Sequence, residues 1–143
     1  MTTYQKTRLF FRILFVLYLA ALAYLCFGHF DSMPRVKPYF LGYPVDKVVH
    51  FVMFFPFPLL LFAAFDRMTT KPWHSLVFAV LVFLLGCLVA AGTEIGQGMT
   101  TYRSADPWDF RADALALAIS SVIVLVIDLM KQFIPEKKDN KKE

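Results

Sequence analysis

Four long apolar runs dominate the chain, and each is close to the length needed to cross a membrane. About 20 apolar residues in a helix span a hydrocarbon core about 30 Å thick. The runs predict four transmembrane helices, over 9–27, 48–65, 73–92 and 107–130. We therefore expect an all-α fold, a four-helix membrane bundle over residues 1–134. The charged segment 135–143 is expected to be a disordered tail.

Composition supports a membrane protein. Of the 143 residues, 58% are hydrophobic and 18% are charged, whereas a soluble domain has about 45–50% and about 25%. A chain this short has too little interior to bury so much apolar surface, which excludes a soluble enzyme. The net charge of +4 comes from basic residues that flank the apolar runs. That distribution favours lipid headgroups over nucleic acid as the partner.

The first apolar run has features of both a signal peptide and an anchored helix. Lys6 and Arg8 precede it, and residues 21–23 resemble a small-residue cleavage site. The run is longer than the usual core of a signal peptide, and Leu25 before Cys26 is too large for lipoprotein processing. We therefore expect an anchored first helix.

The distribution of basic residues predicts the orientation of the helices. Ten Lys and Arg residues lie in the N-terminal flank, in the loop after the second run and in the tail, against five on the other side. Cytoplasmic segments carry the excess of positive charge. Both termini are therefore expected in the cytoplasm, and the protein is expected to be a multi-pass membrane protein.

Polar residues gather at the outer ends of the second, third and fourth runs. They are Asp46, Lys47, His50, Glu94, Gln97, Arg103, Asp106, Asp109, Arg111 and Asp113. Ionisable side chains near a membrane rarely face lipid, because a charge at the centre of a helix costs about 2.5–3.5 kcal/mol or more. We expect these side chains to converge on one another.

Helical spacing places several of these residues on common faces. Asp46 and His50 are four residues apart, and Glu94 and Gln97 are three apart, so each pair shares a face. Glu94 would lie at the negative end of its helix and needs a cation or a proton. Arg103 is the nearest candidate in sequence.

The start of the fourth helix has a clear signature. Asp106 is suited to be the N-cap, Pro107 the first helical residue and Asp109 an acid in the first turn. Asp109 and Asp113 are one turn apart, on a side that continues to Ser120. The polar face of this helix is therefore expected to point into the bundle.

Two prolines interrupt the second run. Pro56 and Pro58 each remove a helical hydrogen bond, so a bend or break is expected there. The break serves either packing alone or a hinge or polar opening in a site.

Three short motifs follow one another along the chain. Residues 46–51 read Asp-Lys-Val-Val-His-Phe. Glu94 and Gln97 follow with two residues between them, and Asp109 comes six residues after Arg103. Together they resemble the VanZ-like family of small bacterial membrane proteins, whose pattern is D-K-x-x-H-F, then E-x-x-Q, then an Arg followed six residues later by an Asp.

The resemblance covers roughly residues 44–120 and carries two departures. Asp113 and Ala116 stand where the family usually has Asn and Gly. The resemblance implies a multi-pass protein of the bacterial cytoplasmic membrane. It also implies a role in the cell envelope, since the founding member of the family is associated with low-level resistance to the glycopeptide teicoplanin. It implies no established reaction.

The leading functional hypothesis is binding or remodelling of an envelope lipid or a lipid-linked wall precursor, with an effect on glycopeptide susceptibility. Lys47, Arg103 and Arg111 would pair with a phosphate or carboxylate of the ligand. His50, Glu94 and Asp109 would orient these cations. Membrane lipids are the expected partners, and nucleic acid is not expected. Whether the protein forms an oligomer is left open.

Other functions remain open at this point. A membrane-surface enzyme would use His50 as acid or base, oriented by Asp46, with Glu94 or Asp109 as its second titratable group. The same residues could hold a divalent ion, but no ligand pair has the spacing of a zinc motif, so neither a metal nor a cofactor is predicted. In a structural scaffold, the polar groups would only join helix ends. A transporter is disfavoured because the polar residues lie on one side.

Overall fold

The protein is an all-α bundle with four membrane-spanning helical segments. The computed structural model describes residues 2–28, 39–65, 71–101 and 105–133. Within them, four segments are long and apolar enough to cross a membrane. The predicted number of spans is confirmed, and the predicted tail at 135–143 lies outside the described residues.

Five helices and a short hairpin make up the described chain. They are α1 (Thr3–Phe27), β1 (Tyr39–Phe40), β2 (Tyr43–Pro44), α2 (Val45–Phe54), α3 (Pro56–Phe65), α4 (Pro72–Gly98) and α5 (Pro107–Phe133). The helices extend beyond the apolar runs that predicted them, and α4 continues to Gly98 rather than ending near residue 92. Polar residues in its last turns are buried among other polar groups, so the helix does not stop where hydrophobicity does.

Local sequence sets the helix starts. Thr2 and Gln5 form a reciprocal capping box at the start of α1. At α5, Asp106 Oδ1 accepts a hydrogen bond from the Trp108 backbone N–H at 2.9 Å, and Pro107 is the first helical residue. The predicted cap is confirmed.

A two-stranded antiparallel hairpin precedes α2, and the hydrophobic pattern did not predict it. Tyr39 pairs with Pro44 and Phe40 with Tyr43. Leu41 and Gly42 both have positive φ, 51° and 84°, as a tight hairpin turn requires. Glycine adopts this conformation freely, and the hairpin leads the chain directly into α2.

The second membrane span is broken into α2 and α3 at Phe55, immediately before Pro56. The predicted break is confirmed. Close to the break, the Tyr18 hydroxyl of α1 donates a hydrogen bond to the Met53 carbonyl at 2.6 Å. An α1 side chain therefore braces the broken segment, as expected of a packing kink in a membrane.

Helix α5 lies at the centre of the packing, against α2, α3 and α4, while α1 packs mainly on α3. The face that α5 buries is the predicted one, running from Asp109 and Asp113 to Ser120. The apolar core is formed by Phe15, Leu22, Cys26, Phe54, Phe57, Ala64, Ala90, Ala116 and Leu117. The polar face of α5 therefore lies inside the bundle and not against lipid.

Side chains also join the helices at the end of the bundle that contains Thr3 and Phe133. Gln132 Nε2 donates to Ser75 Oγ at 2.6 Å. Arg12 Nε donates to the Ala64 carbonyl at 3.3 Å. The predicted site residues lie at the far end of the bundle from these contacts. We therefore call the end with Thr3 and Phe133 the opposite end.

Two glycines of α4 test the close approach of α4 and α5. A Cβ at Gly86 would overlap the side chain of Leu117, which is fully buried, whereas a Cβ at Gly92 would meet no atom within 4 Å. We expect Gly86→Ala to lower stability by about 1–3 kcal/mol through overpacking. Gly92→Ala should be neutral or stabilising by up to about 1 kcal/mol. Thermal unfolding of both variants in detergent measures the difference, and equal effects would contradict this packing.

Candidate functional site

Four helix ends meet at the other end of the bundle, which we call the site end. They are the C-terminus of α1, the N-terminus of α2, the C-terminus of α4 and the N-terminus of α5. Seven ionisable side chains from α2, α4 and the start of α5 lie together there. This polar cluster consists of Asp46, Lys47, His50, Glu94, Asp106, Asp109 and Asp113.

Lys47 joins α2 to the start of α5. Its Nζ donates to Asp106 Oδ2 at 2.5 Å and also to Asp109 Oδ1. Asp46 Oδ2 lies 3.7 Å from the same nitrogen. Asp109 also lies in the first turn of α5, where the helix dipole favours a negative charge. Lys47 therefore pairs with two acids where the next helix begins.

Asp106 has three roles. It caps α5, it pairs with Lys47, and its backbone N–H donates to Glu94 Oε2 at 3.0 Å. The hydrogen bond from Lys47 and that from the Trp108 N–H hold the pKa of the Asp106 carboxyl below its usual value. Asp106 is therefore an anion near neutral pH and links α2, α4 and α5.

His50 lies buried at the centre of the cluster, with 2% of its surface exposed. Its Nδ1 is 3.1 Å from Asp113 Oδ1 and 3.3 Å from Asp113 Oδ2. On the other side of the ring, Nε2 is 3.7 Å from Asp109 Oδ2. The imidazole therefore lies between two carboxylates of α5.

Glu94 is only partly satisfied. Oε2 accepts the Asp106 N–H, but Oε1 is buried and has no hydrogen-bond partner among the described residues. Oε1 lies 3.9 Å from His50 Nδ1, too far for a hydrogen bond. The oxygen of Glu94 that needs a cation or a proton is therefore Oε1.

Negative charge exceeds positive charge within the cluster. Its five carboxylates are Asp46, Glu94, Asp106, Asp109 and Asp113. They face the single ammonium of Lys47 and the imidazole of His50, which adds at most one positive charge. The described cluster is therefore suited to a cation and not to an anion.

Two overlapping sets of side chains have the geometry of metal ligands. One is Asp46, His50 and Asp109, and the other is His50, Glu94 and Asp113. In each set the ligand atoms lie within 4.8 Å of one another, and in the second all three residues are buried. Three helices supply the second set, so no spacing along the chain could have indicated it.

The remaining predicted site residues lie apart from this centre or outside the described chain. Gln97 is buried and its Nε2 donates to the Cys26 carbonyl at 3.0 Å, so it fastens the end of α1. Arg103 lies outside the described residues. The guanidinium of Arg111 lies 4.2 Å from the centre of the Trp108 ring. Of the cations proposed for an anionic ligand, Lys47 is already paired with acids and Arg111 is stacked on an aromatic ring.

The sequence pattern predicted Asp106 as the helix cap and as one of the converging polar residues, but not its ion pair with Lys47. The signal for the pairing was weak, because several acids compete for one lysine at the same end of the bundle. The choice among them depends on how α2 packs against α5, which the sequence pattern does not specify.

Two apolar clefts open beside the cluster. One, of about 280 Å³, is lined by Ala91, Glu94, Ile95, Ala105, Pro107 and Phe110. The other, of about 300 Å³, is lined by Tyr43, Lys47, Val48, Phe51, Ala112 and Leu115. Each cleft therefore has apolar walls and one charged residue of the polar cluster.

The chain matches no family model, no curated protein and no solved structure. Among the residues that carry the resemblance to the VanZ-like family, Lys47, His50, Glu94 and Asp109 belong to the polar cluster. We therefore infer function from the chemistry of the cluster and its clefts.

The pairing of Lys47 with two acids predicts a strong effect of its loss. Lys47→Met leaves Asp106 and Asp109 without their counter-charge and should destabilise the protein by about 2–4 kcal/mol. The double variant Lys47→Met/Asp109→Asn should recover part of this loss. Arg111→Gln is the control, because it removes a cation from the first turns of α5. It should lower the free energy of unfolding by about 1 kcal/mol or less. Chemical denaturation in detergent measures these differences. Equal losses for Lys47→Met and Arg111→Gln would contradict the pairing.

Proposed function

We propose that this chain is a VanZ-like integral membrane protein of the bacterial cell envelope that binds an envelope lipid or a lipid-linked wall precursor at the polar cluster. The observation that carries the proposal is the pairing of a buried, acid-rich cluster with two apolar clefts at one end of a membrane bundle. A headgroup at the cluster would have its apolar chain alongside a cleft. This is the arrangement that an amphiphile at the membrane boundary needs.

The charge of the cluster favours one part of such a ligand. Lys47 is already paired with Asp106 and Asp109, and five carboxylates face one lysine and one histidine in the cluster. The excess of carboxylates therefore favours an ammonium group in the ligand, such as an aminated headgroup or the free amine of a lipid-linked peptide. This differs from the phosphate pairing that the sequence alone favoured.

The proposed location of the cluster is the extracytoplasmic side. The excess of basic residues at the N-terminal flank and tail supports this orientation through the positive-inside rule. A wall precursor is accessible on that side, and so is a glycopeptide that targets it. An effect on teicoplanin-type susceptibility would follow from competition for, or remodelling of, that precursor.

A structural scaffold is the second candidate, and specific contacts favour it. Asp106, Asp109 and Gln97 each make a hydrogen bond that joins two helices. In a scaffold, the cluster would be complete without any ligand, and lipid would contact only the outer surface of the helices.

Bound lipid distinguishes the two candidates. Ala91→Phe fills the cleft beside Glu94 with a bulky side chain, so a chain lying there would be displaced. The unaltered protein should select a lipid from a native membrane extract. We expect the purified variant to carry about one tenth of that amount of the lipid, or less. Mass spectrometry of the protein in mild detergent measures the retained lipid.

Ala118→Phe is the matched control. Ala118 lines another apolar cleft between α4 and α5, of about 220 Å³, which lacks cluster residues. It should leave the selected lipid in place. Equal retention by both variants and the unaltered protein would contradict headgroup binding at the cluster and favour the scaffold. Thermal unfolding of both variants shows whether either loss follows from misfolding.

A further inference from the structure

We propose that His50, Glu94 and Asp113 bind a divalent transition-metal ion such as Zn²⁺. The ligand atoms would be His50 Nδ1, Glu94 Oε1 and a carboxylate oxygen of Asp113. This site goes beyond lipid binding, because the ion would bind with or without a lipid present.

The unpartnered oxygen of Glu94 is the first observation for the site. Glu94 is 7% exposed, and Oε1 is buried without a hydrogen-bond partner among the described residues. A buried polar atom without a partner costs free energy that a bound ion would recover. The atom lies 3.9 Å from His50 Nδ1, so it is directed into the cluster.

The spacing of the three groups fits a small divalent ion. Metal–ligand bonds of about 2.0–2.2 Å place neighbouring ligand atoms roughly 3–3.6 Å apart. His50 Nδ1 is 3.1 Å from Asp113 Oδ1 and 3.9 Å from Glu94 Oε1. All three ligand atoms lie within 4.8 Å of one another, so a small inward movement of the Glu94 side chain would bring them to coordination distance.

The surroundings support the imidazole as a ligand. A metal-bound histidine usually directs its other ring nitrogen at a carboxylate, which fixes the ring and its tautomer. Here His50 Nε2 lies 3.7 Å from Asp109 Oδ2, on the side of the ring away from Glu94. Asp109 is itself held by Lys47, so it is suited to this supporting role and not to coordination.

The ligand set selects the class of metal. One imidazole nitrogen with two carboxylates suits transition metals such as Zn²⁺, whereas Ca²⁺ prefers six to eight oxygen ligands and Mg²⁺ keeps several waters. Three protein ligands leave one coordination position open, as in zinc sites that accept water or another oxygen ligand.

Zinc binding by the purified chain tests the site. The full-length protein, stripped with a chelator and dialysed against Zn²⁺ in detergent, should retain about one zinc ion per chain. Glu94→Gln and Asp113→Asn should each weaken the affinity at least about tenfold. Asp46→Asn is the matched control, because it removes a carboxylate of the alternative set of ligands only. Millimolar Ca²⁺ or Mg²⁺ should not displace the zinc.

Two results would overturn the site. One is that the unaltered protein retains no more zinc than a variant in which all three ligands are replaced. The other is loss of zinc in Asp46→Asn with full retention in Glu94→Gln.

X-ray absorption of the zinc-loaded unaltered protein covers the case in which the variants misfold. It should show nitrogen and oxygen ligands including one imidazole, and a sulfur ligand would contradict the assignment. Loss of lipid selection with zinc retained would contradict the proposed function and leave this site intact.

Discussion

The ion pair of Lys47 with Asp106 and Asp109 is the interaction on which the site end depends. A membrane bundle offers little water to solvate carboxylates, so acids at its end need counter-charges or protons. Lys47 supplies one such charge from α2 at the start of α5, and the dipole of α5 adds to it. Asp106 then extends the contact to α4 through its backbone N–H. One lysine thereby fixes the relative position of the three helices that carry the polar cluster.

The rest of the bundle supports that arrangement through apolar packing and two local devices. The break before Pro56 divides the second span into α2 and α3, and both contact α5. Tyr18 braces the break with a hydrogen bond to a carbonyl of α2. Gln97 holds the end of α1 against α4. The buried polar face of α5 is therefore enclosed on several sides, and solvent screens its excess negative charge only weakly.

Much of the fold follows from the sequence because hydrophobic length and helix capping are local properties. Four spans, the cap at Asp106 and the inward face of α5 all depend on residues within a few turns of each other. The hairpin before α2 was not predicted, since its strands are only two residues long and lack an alternating pattern. The partners of Lys47 and the isolated oxygen of Glu94 depend on distances between helices. Their identities required the three-dimensional arrangement, and so did the convergence of Glu94 and Asp113 on His50.

The polar cluster can assemble only if the ends of α2, α4 and α5 that carry it lie on one face of the membrane. Labelling of single cysteines with a membrane-impermeant maleimide in intact cells tests it directly, in a background where both native cysteines are replaced. Asp46→Cys and Met99→Cys, both exposed at the site end, should label from the outside. Trp73→Cys and Phe133→Cys, exposed at the opposite end, should label only after the membrane is opened. Labelling of Asp46→Cys and Met99→Cys from different faces would contradict the assembly of the polar cluster.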